Sequence, residues 1–153
     1  MPKLTLDTIA ERSGSSYPSP FDQPVAGRSW QRLGDAAGLT QFGVNLTHIP
    51  PGVWSSQRHW HSEEDEFVYM ISGELVLITD AGEQPMRAGD CAAFKAGVAD
   101  GHHFVNRSGE VATYLAVGSR FENDRCVYPD IDLLFEPDVD AFVHRDGTAY
   151  PGK

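Results

Sequence analysis

The sequence predicts an all-β fold, a barrel or a sandwich. From Trp30 onward, apolar residues come in short runs rich in β-branched and aromatic side chains. Gly, Pro, Asn and Asp break these runs at close intervals, and no helical period fills the gaps.

Residues 1–25 read as an N-terminal arm. Leu6 to Arg12 predict one or two helical turns capped by Asp7. Ser13-Gly-Ser-Ser-Tyr-Pro-Ser-Pro20 is loop chemistry. The arm is expected to lie on the barrel or to reach a partner subunit. Residues 26–127 form the barrel. Phe42–Ile49 ends at Pro50-Pro51-Gly52. Phe67–Ile71 stops at Ser72-Gly73, and Leu75–Thr79 follows at once. Asp80-Ala-Gly-Glu turns the chain, and Met86 opens a short piece closed by Ala88-Gly89-Asp90. Cys91–Lys95 comes next, then a loop over 96–101. His102–Asn106 is a strand, Arg107-Ser-Gly-Glu110 a turn, and Val111–Gly118 completes the series. Residues 128–153 read as an irregular tail wrapped over the barrel, with Leu133-Leu134-Phe135 set among aspartates and prolines.

Twelve Lys and Arg against 22 Asp and Glu give a formal charge of −10. That sign repels phosphate backbones, so nucleic acid is not an expected partner. No apolar run is long enough for a membrane span, and Met-Pro-Lys-Leu-Thr holds no apolar signal core. The cytoplasm is the expected location. Cys91 and Cys126 are too few and too far apart for a disulfide framework or a thiolate site. Cys91, in an apolar tetrad, is expected in the core; the role of Cys126 stays open.

The stretch that carries chemistry is His59-Trp60-His61-Ser62-Glu63-Glu64-Asp65-Glu66-Phe67. Alternation along a strand puts His59 and His61 on one face. Glu66, beyond a polar bend, can fold back beside them, and His102-His103 offers a third imidazole from a later strand. Three imidazoles and a carboxylate suit one divalent ion: Zn, Mn, Fe, Ni or Cu.

These residues resemble the cupin superfamily. Its first motif reads here as Gly52, His59, His61, Glu66 and Gly73; its second as Gly89, Lys95-Ala96-Gly97, His102 and Asn106. Lys95 stands where the family has proline, and Val98 to Gly101 lengthen the following loop by two residues. The resemblance implies a double-stranded β-helix, the jelly-roll barrel, with a single metal held by His59, His61, Glu66 and His102. His102 is preferred to His103 because it precedes Asn106 by the family's spacing and shares a face with Phe104 and Asn106. The segment Gly97-Val-Ala-Asp-Gly-His-His and the Tyr128-Pro-Asp-Ile-Asp132 tail look like bacterial single-domain cupins.

Gln57, on the parity of His59, is a candidate for the open side of the metal, with Phe104 and Tyr114 as further pocket candidates. Val68 and Met70 are expected in the core, Trp60 on the outer face, and His48 and His144 in structural or surface roles. One of Glu63, Glu64 and Asp65 is a candidate to orient a ligand imidazole. The resemblance implies a small organic substrate. A dioxygenase is the leading expectation; an isomerase or lyase, or a non-catalytic binding cupin, is the alternative. Few basic residues lie near the ligand strands, which argues against a multiply phosphorylated sugar. Exposed barrel edges and the arm predict a homodimer.

Overall fold

The computed structural model describes residues 2–152. Thirteen strands are joined by one short helix and two 3-10 turns among these residues. The strands are β1 (Glu11–Ser13), β2 (Ser29–Arg32), β3 (Phe42–Ile49), β4 (Trp60–His61), β5 (Glu66–Ser72), β6 (Glu74–Thr79) and β7 (Gly82–Arg87). Then follow β8 (Cys91–Phe94), β9 (His103–Val105), β10 (Ala112–Ser119), β11 (Cys126–Tyr128), β12 (Leu133–Glu136) and β13 (Ala141–Val143). The helix α1 spans Leu33–Ala36, a single turn too short to show a period in the sequence.

A six-stranded sheet runs in the order β1-β2-β3-β10-β5-β8, and a three-stranded sheet in the order β7-β6-β9. Their inner faces meet in one core: Ile49, Val68, Met70, Ala112 and Tyr114 from the larger sheet, and Leu75, Leu77, Met86 and Phe104 from the smaller. Antiparallel sheets closed face to face around such a core make the expected all-β barrel. Alternation is clean on β5, where Val68 and Met70 are buried while Phe67, Tyr69 and Ile71 are exposed. Gly73 carries the chain from one sheet to the other at φ +76°, and a Cβ there would lie 2.7 Å from Ala112 Cα. Only glycine meets both demands.

Three sequence expectations change. The arm makes a single 3-10 turn at Leu6–Thr8, closed by the Thr8 hydroxyl donating to the Thr5 carbonyl, rather than an Asp7-capped helix. It then enters the large sheet, β1 pairing with β2. The tail is not irregular: β11, β12 and β13 form an antiparallel meander that pairs with β4. Strands of three or four residues are too short to display a period, but their cross-strand pairs, Leu134 with Val143 and Phe135 with Phe142, supply the packing. A second core joins this tail to the arm through Tyr17, Val25, Tyr128 and Leu133. Cys91 is exposed, not buried: it lies on the outer side of edge strand β8, while Ala92 and Phe94 face the core.

Candidate metal centre

Backbone pairing assembles the site before any side chain is considered. His59 and His102 form an antiparallel bridge, each amide donating to the other's carbonyl at 3.1 and 2.9 Å. His61 sits on β4 opposite Cys126 of β11. Glu66 opens β5 opposite Phe94 of β8, and the Phe94 ring stacks on the His102 imidazole at 3.5 Å. The altered loop is closed by direct bonds. Gly97 takes φ +78° and donates to the His61 carbonyl at 2.8 Å, and the Ala96 amide donates to Asp65 at 2.9 Å. Arg58 spans the remainder, donating to the Gly101 carbonyl and gripping Asp130 with two nitrogens at 2.7 and 2.8 Å.

Three imidazole nitrogens converge on one carboxylate oxygen. Glu66 Oε2 lies 2.8 Å from His102 Nε2, 3.7 Å from His61 Nε2 and 3.8 Å from His59 Nε2. His59 Nδ1–H donates to the Gln57 carbonyl at 2.8 Å, and His61 Nδ1–H donates to Asp124 Oδ2 at 2.7 Å. With Nδ1 as the donor, the neutral tautomers of His59 and His61 would turn bare Nε2 lone pairs toward a carboxylate. Acceptors facing acceptors repel unless a cation lies among them. The donor set thus fits a divalent metal held by His59, His61, Glu66 and His102. His103 stays outside the cluster, donating from Nδ1 to the Ser56 carbonyl and packing against Trp54.

The electrostatics follow from burial and neighbours. Burial pushes the Glu66 carboxyl upward, but His102 and His59 outweigh it and hold the group well below its ordinary range. Burial depresses the pKa of His102. It also opposes a proton on His61, yet Asp124, Glu66 and Glu64 together raise that pKa.

Asp124 is the site residue that the sequence reading missed. Its Oδ1 accepts the amides of Glu63 and Glu64 at 2.9 and 3.2 Å, and its Oδ2 holds His61. The acidic run thus supplies backbone donors that fix the orienting carboxylate, while Glu64 stands 3.9 Å from His61 Nδ1. A single Asp, 63 positions from its partner, gives no local signal. Cys126 is buried, and a ligand-type atom of it lies within 4.8 Å of those of His59 and His61. Burial raises its thiol pKa and keeps it protonated.

A cavity of about 540 Å³ opens on Glu66, His59 and His102. Phe104 and Tyr114 line it. Gln57 does not: its amide donates to the Phe21 carbonyl at 2.8 Å. The walls are polar, with Asn45, Thr47, Ser55 and Ser56 on them, and Arg28 and Arg32 also face this space. Basic residues, sparse in sequence around the ligand strands, are therefore brought to the site by the fold.

The cupin domain family matches residues 45–118. A sugar phosphate isomerase of the cupin superfamily from Silicibacter pomeroyi DSS-3 is 49% identical, at a TM-score of 0.92, over 98% of this chain and 97% of that one. The chain belongs to the cupin superfamily. A candidate sugar phosphate isomerase from Acidithiobacillus ferrooxidans ATCC 23270 resembles this cupin at 29% identity and a TM-score of 0.73, covering 82% of this chain and 81% of the other. An oxalate decarboxylase predicted in Thermotoga maritima shares the fold, at 21% identity and a TM-score of 0.61 over 78% of this cupin and 99% of that chain. No curated protein matches. Among the described residues no helix is long and apolar enough to cross a membrane.

Proposed function

We propose that this cupin is a metal-dependent isomerase acting on a small phosphorylated sugar. The observation that carries the reading is a shared cavity: three of the four candidate metal ligands, His59, Glu66 and His102, and a wall of hydroxyl, amide and guanidinium groups face one space. Its volume lies in the range of small-molecule sites. The Silicibacter relative, 49% identical over nearly its full length, is named for this activity. A dioxygenase, the first expectation from sequence, has less support, since the Silicibacter and Acidithiobacillus relatives are named for isomerase chemistry and the wall is hydrophilic. A non-catalytic binding role has no observation in its favour beyond those that also fit an isomerase.

His59, His61, Glu66 and His102 would hold the ion. A bound divalent ion supplies charge stabilisation for the oxyanion that forms when a proton leaves the carbon beside a carbonyl. The chain's own groups orient the substrate. Burial pushes the Tyr114 phenol up to about 12, so at neutral pH it remains a hydrogen-bond donor to a substrate oxygen. Asp124 keeps the His61 tautomer fixed.

The test has two parts. Metal analysis of protein purified without added metal should find about one divalent ion per chain, and His59→Ala should lose it; equal content in both would remove the centre. The loaded enzyme, offered aldose and ketose monophosphates in deuterium oxide, should interconvert them with deuterium entering next to the carbonyl. Absence of both interconversion and exchange with every divalent ion tried would overturn the isomerase reading.

A homodimer is part of the same proposal. The outer face of the large sheet exposes Phe67, Tyr69 and Ile71 side by side on β5. Contiguous apolar surface of this kind favours self-association. Light scattering should give twice the chain mass, and Tyr69→Glu should halve it. The free thiols of Cys91 and Cys126 fit a reducing cytoplasm.

A further inference from the structure

The inner face of the large sheet changes character along its width. Near β5 and β10 it carries Val68, Met70 and Ala112, all buried. On β2 and β3 the same face is polar. Arg32 pairs with Asn45, and Asn45 with Ala116; Trp30 pairs with Thr47, and Thr47 with Tyr114. These six residues form two cross-strand rows, and all of them line the cavity. An amide at an inward strand position costs solvation energy unless something in the cavity meets it, and the Arg32 guanidinium, 45% exposed, stands on the same lining with its charge open to a ligand.

Their present partners leave that demand open. Asn45 Oδ1 is buried and has no hydrogen-bond partner. Arg32 lies 3.7 Å from Asp35 Oδ2, while Arg120 holds the other oxygen of that carboxylate at 2.6 Å. Arg28 donates from Nε to the Gly14 carbonyl at 3.2 Å and from Nη1 to the Ser55 carbonyl. Carbonyls accept these protons without cancelling the charge, and Nη2 takes part in neither bond. The faces of Trp30 and Tyr17 stand 5.2 and 5.8 Å from the guanidinium carbon and fix its plane. The arm adds the hydroxyls of Ser13 and Ser16 to the same lining.

We infer that Arg28 and Arg32 form an anion-reading subsite and that Asn45 Oδ1 accepts a hydroxyl, so the cavity selects a polyhydroxylated ligand bearing one phosphoryl group. Two guanidiniums matched to one phosphoryl group allow forked, charge-assisted bonds. The arm is then a wall of the binding site, held there by the pairing of β1 with β2. This deepens the isomerase proposal and rests on it only for the identity of the reaction.

The probe is an alditol monophosphate of five or six carbons, which has no carbonyl and cannot be isomerised. Calorimetry on the metal-loaded, full-length protein compares it with the unphosphorylated alditol and with inorganic phosphate. The wild type should bind the alditol phosphate at least about 10-fold more tightly than either. Arg28→Gln and Arg32→Gln should each weaken that binding about 10- to 100-fold, from the loss of a charge-assisted bond, and leave the weak binding of the plain alditol within about twofold. Arg32 is an exposed strand residue, so its variant folds even if Arg28→Gln does not. Asn45→Leu should weaken both alditols and spare inorganic phosphate. Equal affinity of the wild type for the two alditols, or unchanged binding in Arg32→Gln, would overturn the subsite. Phosphate-selective binding without turnover would instead leave the subsite standing and refute only the isomerase.

Discussion

Replacing Asp124 by asparagine tests how the candidate centre is held. Asp124 is nearly buried and uses both oxygens: Oδ1 takes two amides and Oδ2 takes His61 Nδ1–H. In Asp124→Asn the amides of Glu63 and Glu64 keep the carbonyl oxygen, because only an acceptor satisfies them. The new NH2 group must then face His61. A donor there forces the imidazole to present a lone pair on Nδ1, so its proton moves to Nε2, the atom 3.7 Å from Glu66. A protonated Nε2 cannot bind metal. Loss of an orienting carboxylate costs metal affinity about 10- to 100-fold, or about 1.4 to 2.7 kcal/mol, and the tautomer change puts the asparagine variant at the upper end. Asp124→Ala frees the ring to choose its tautomer but leaves two backbone amides without their acceptor, costing about 1 to 3 kcal/mol each where water does not reach them. The ranking therefore inverts: asparagine should harm metal binding more and folding less than alanine. Competition against a chromophoric chelator measures the first, and thermal unfolding of the metal-free proteins the second. Wild-type metal affinity in a folded Asp124→Asn protein would refute the reasoning.

Further expectations are independent of this one. His102→Ala should abolish metal binding and His103→Ala should keep it, by elemental analysis, because only His102 Nε2 reaches Glu66. Leu75, fully buried between the sheets, should cost about 2 to 5 kcal/mol on truncation to alanine, seen in urea unfolding of the metal-free protein. Gly73→Ala should lose at least about 1 to 3 kcal/mol from positive φ alone, and more from the 2.7 Å approach to Ala112, by the same assay. Asp130 is held below its ordinary pKa by the Arg58 guanidinium, against a smaller opposing effect of burial. A depressed folded-state pKa stabilises above the unfolded value, near 4, and the gain fades as pH falls through the folded value. Asp130→Asn should thus destabilise by up to about 1 kcal/mol at pH 7 and progressively less below pH 4, in parallel melts.

What could be read in the sequence was local. Strand parity alone brings His59 and His61 to one face, and the spacing to Asn106 separates His102 from its neighbour. Asn106 itself turns out to bind backbone: it donates to the Ile49 and Glu110 carbonyls at 2.7 Å and shapes the turn before β10. The alternation over Phe67–Ile71 gives both the core and the exposed face of β5. What depended on distant pairing was hidden. Asp124 reaches His61 only because β11 lies against β4. Arg28 and Arg32 line the cavity only because β2 joins the large sheet beside β3. Cys91-Ala-Ala-Phe94 reads as uniformly apolar, and no local pattern says that it will lie at an edge with one side in solvent. The arm's serines have the composition of a linker, and only the paired β1 reveals them as cavity wall.

The seam between β4 and β11 fixes an order of manufacture. Asp124 leaves the ribosome 63 residues after His61. At about 5 to 20 residues per second, that delay is roughly 3 to 13 seconds. Throughout it the nascent chain carries His59 and His61 with no Asp124 to hold the latter and no β11 to anchor its strand. A metal ion gripped that early would meet a pair of ligands that lacks this brace. Were the proposed centre to bind a metal, the geometry braced by Asp124 would exist only after β11 has paired with β4, so selective loading would follow closure of the tail.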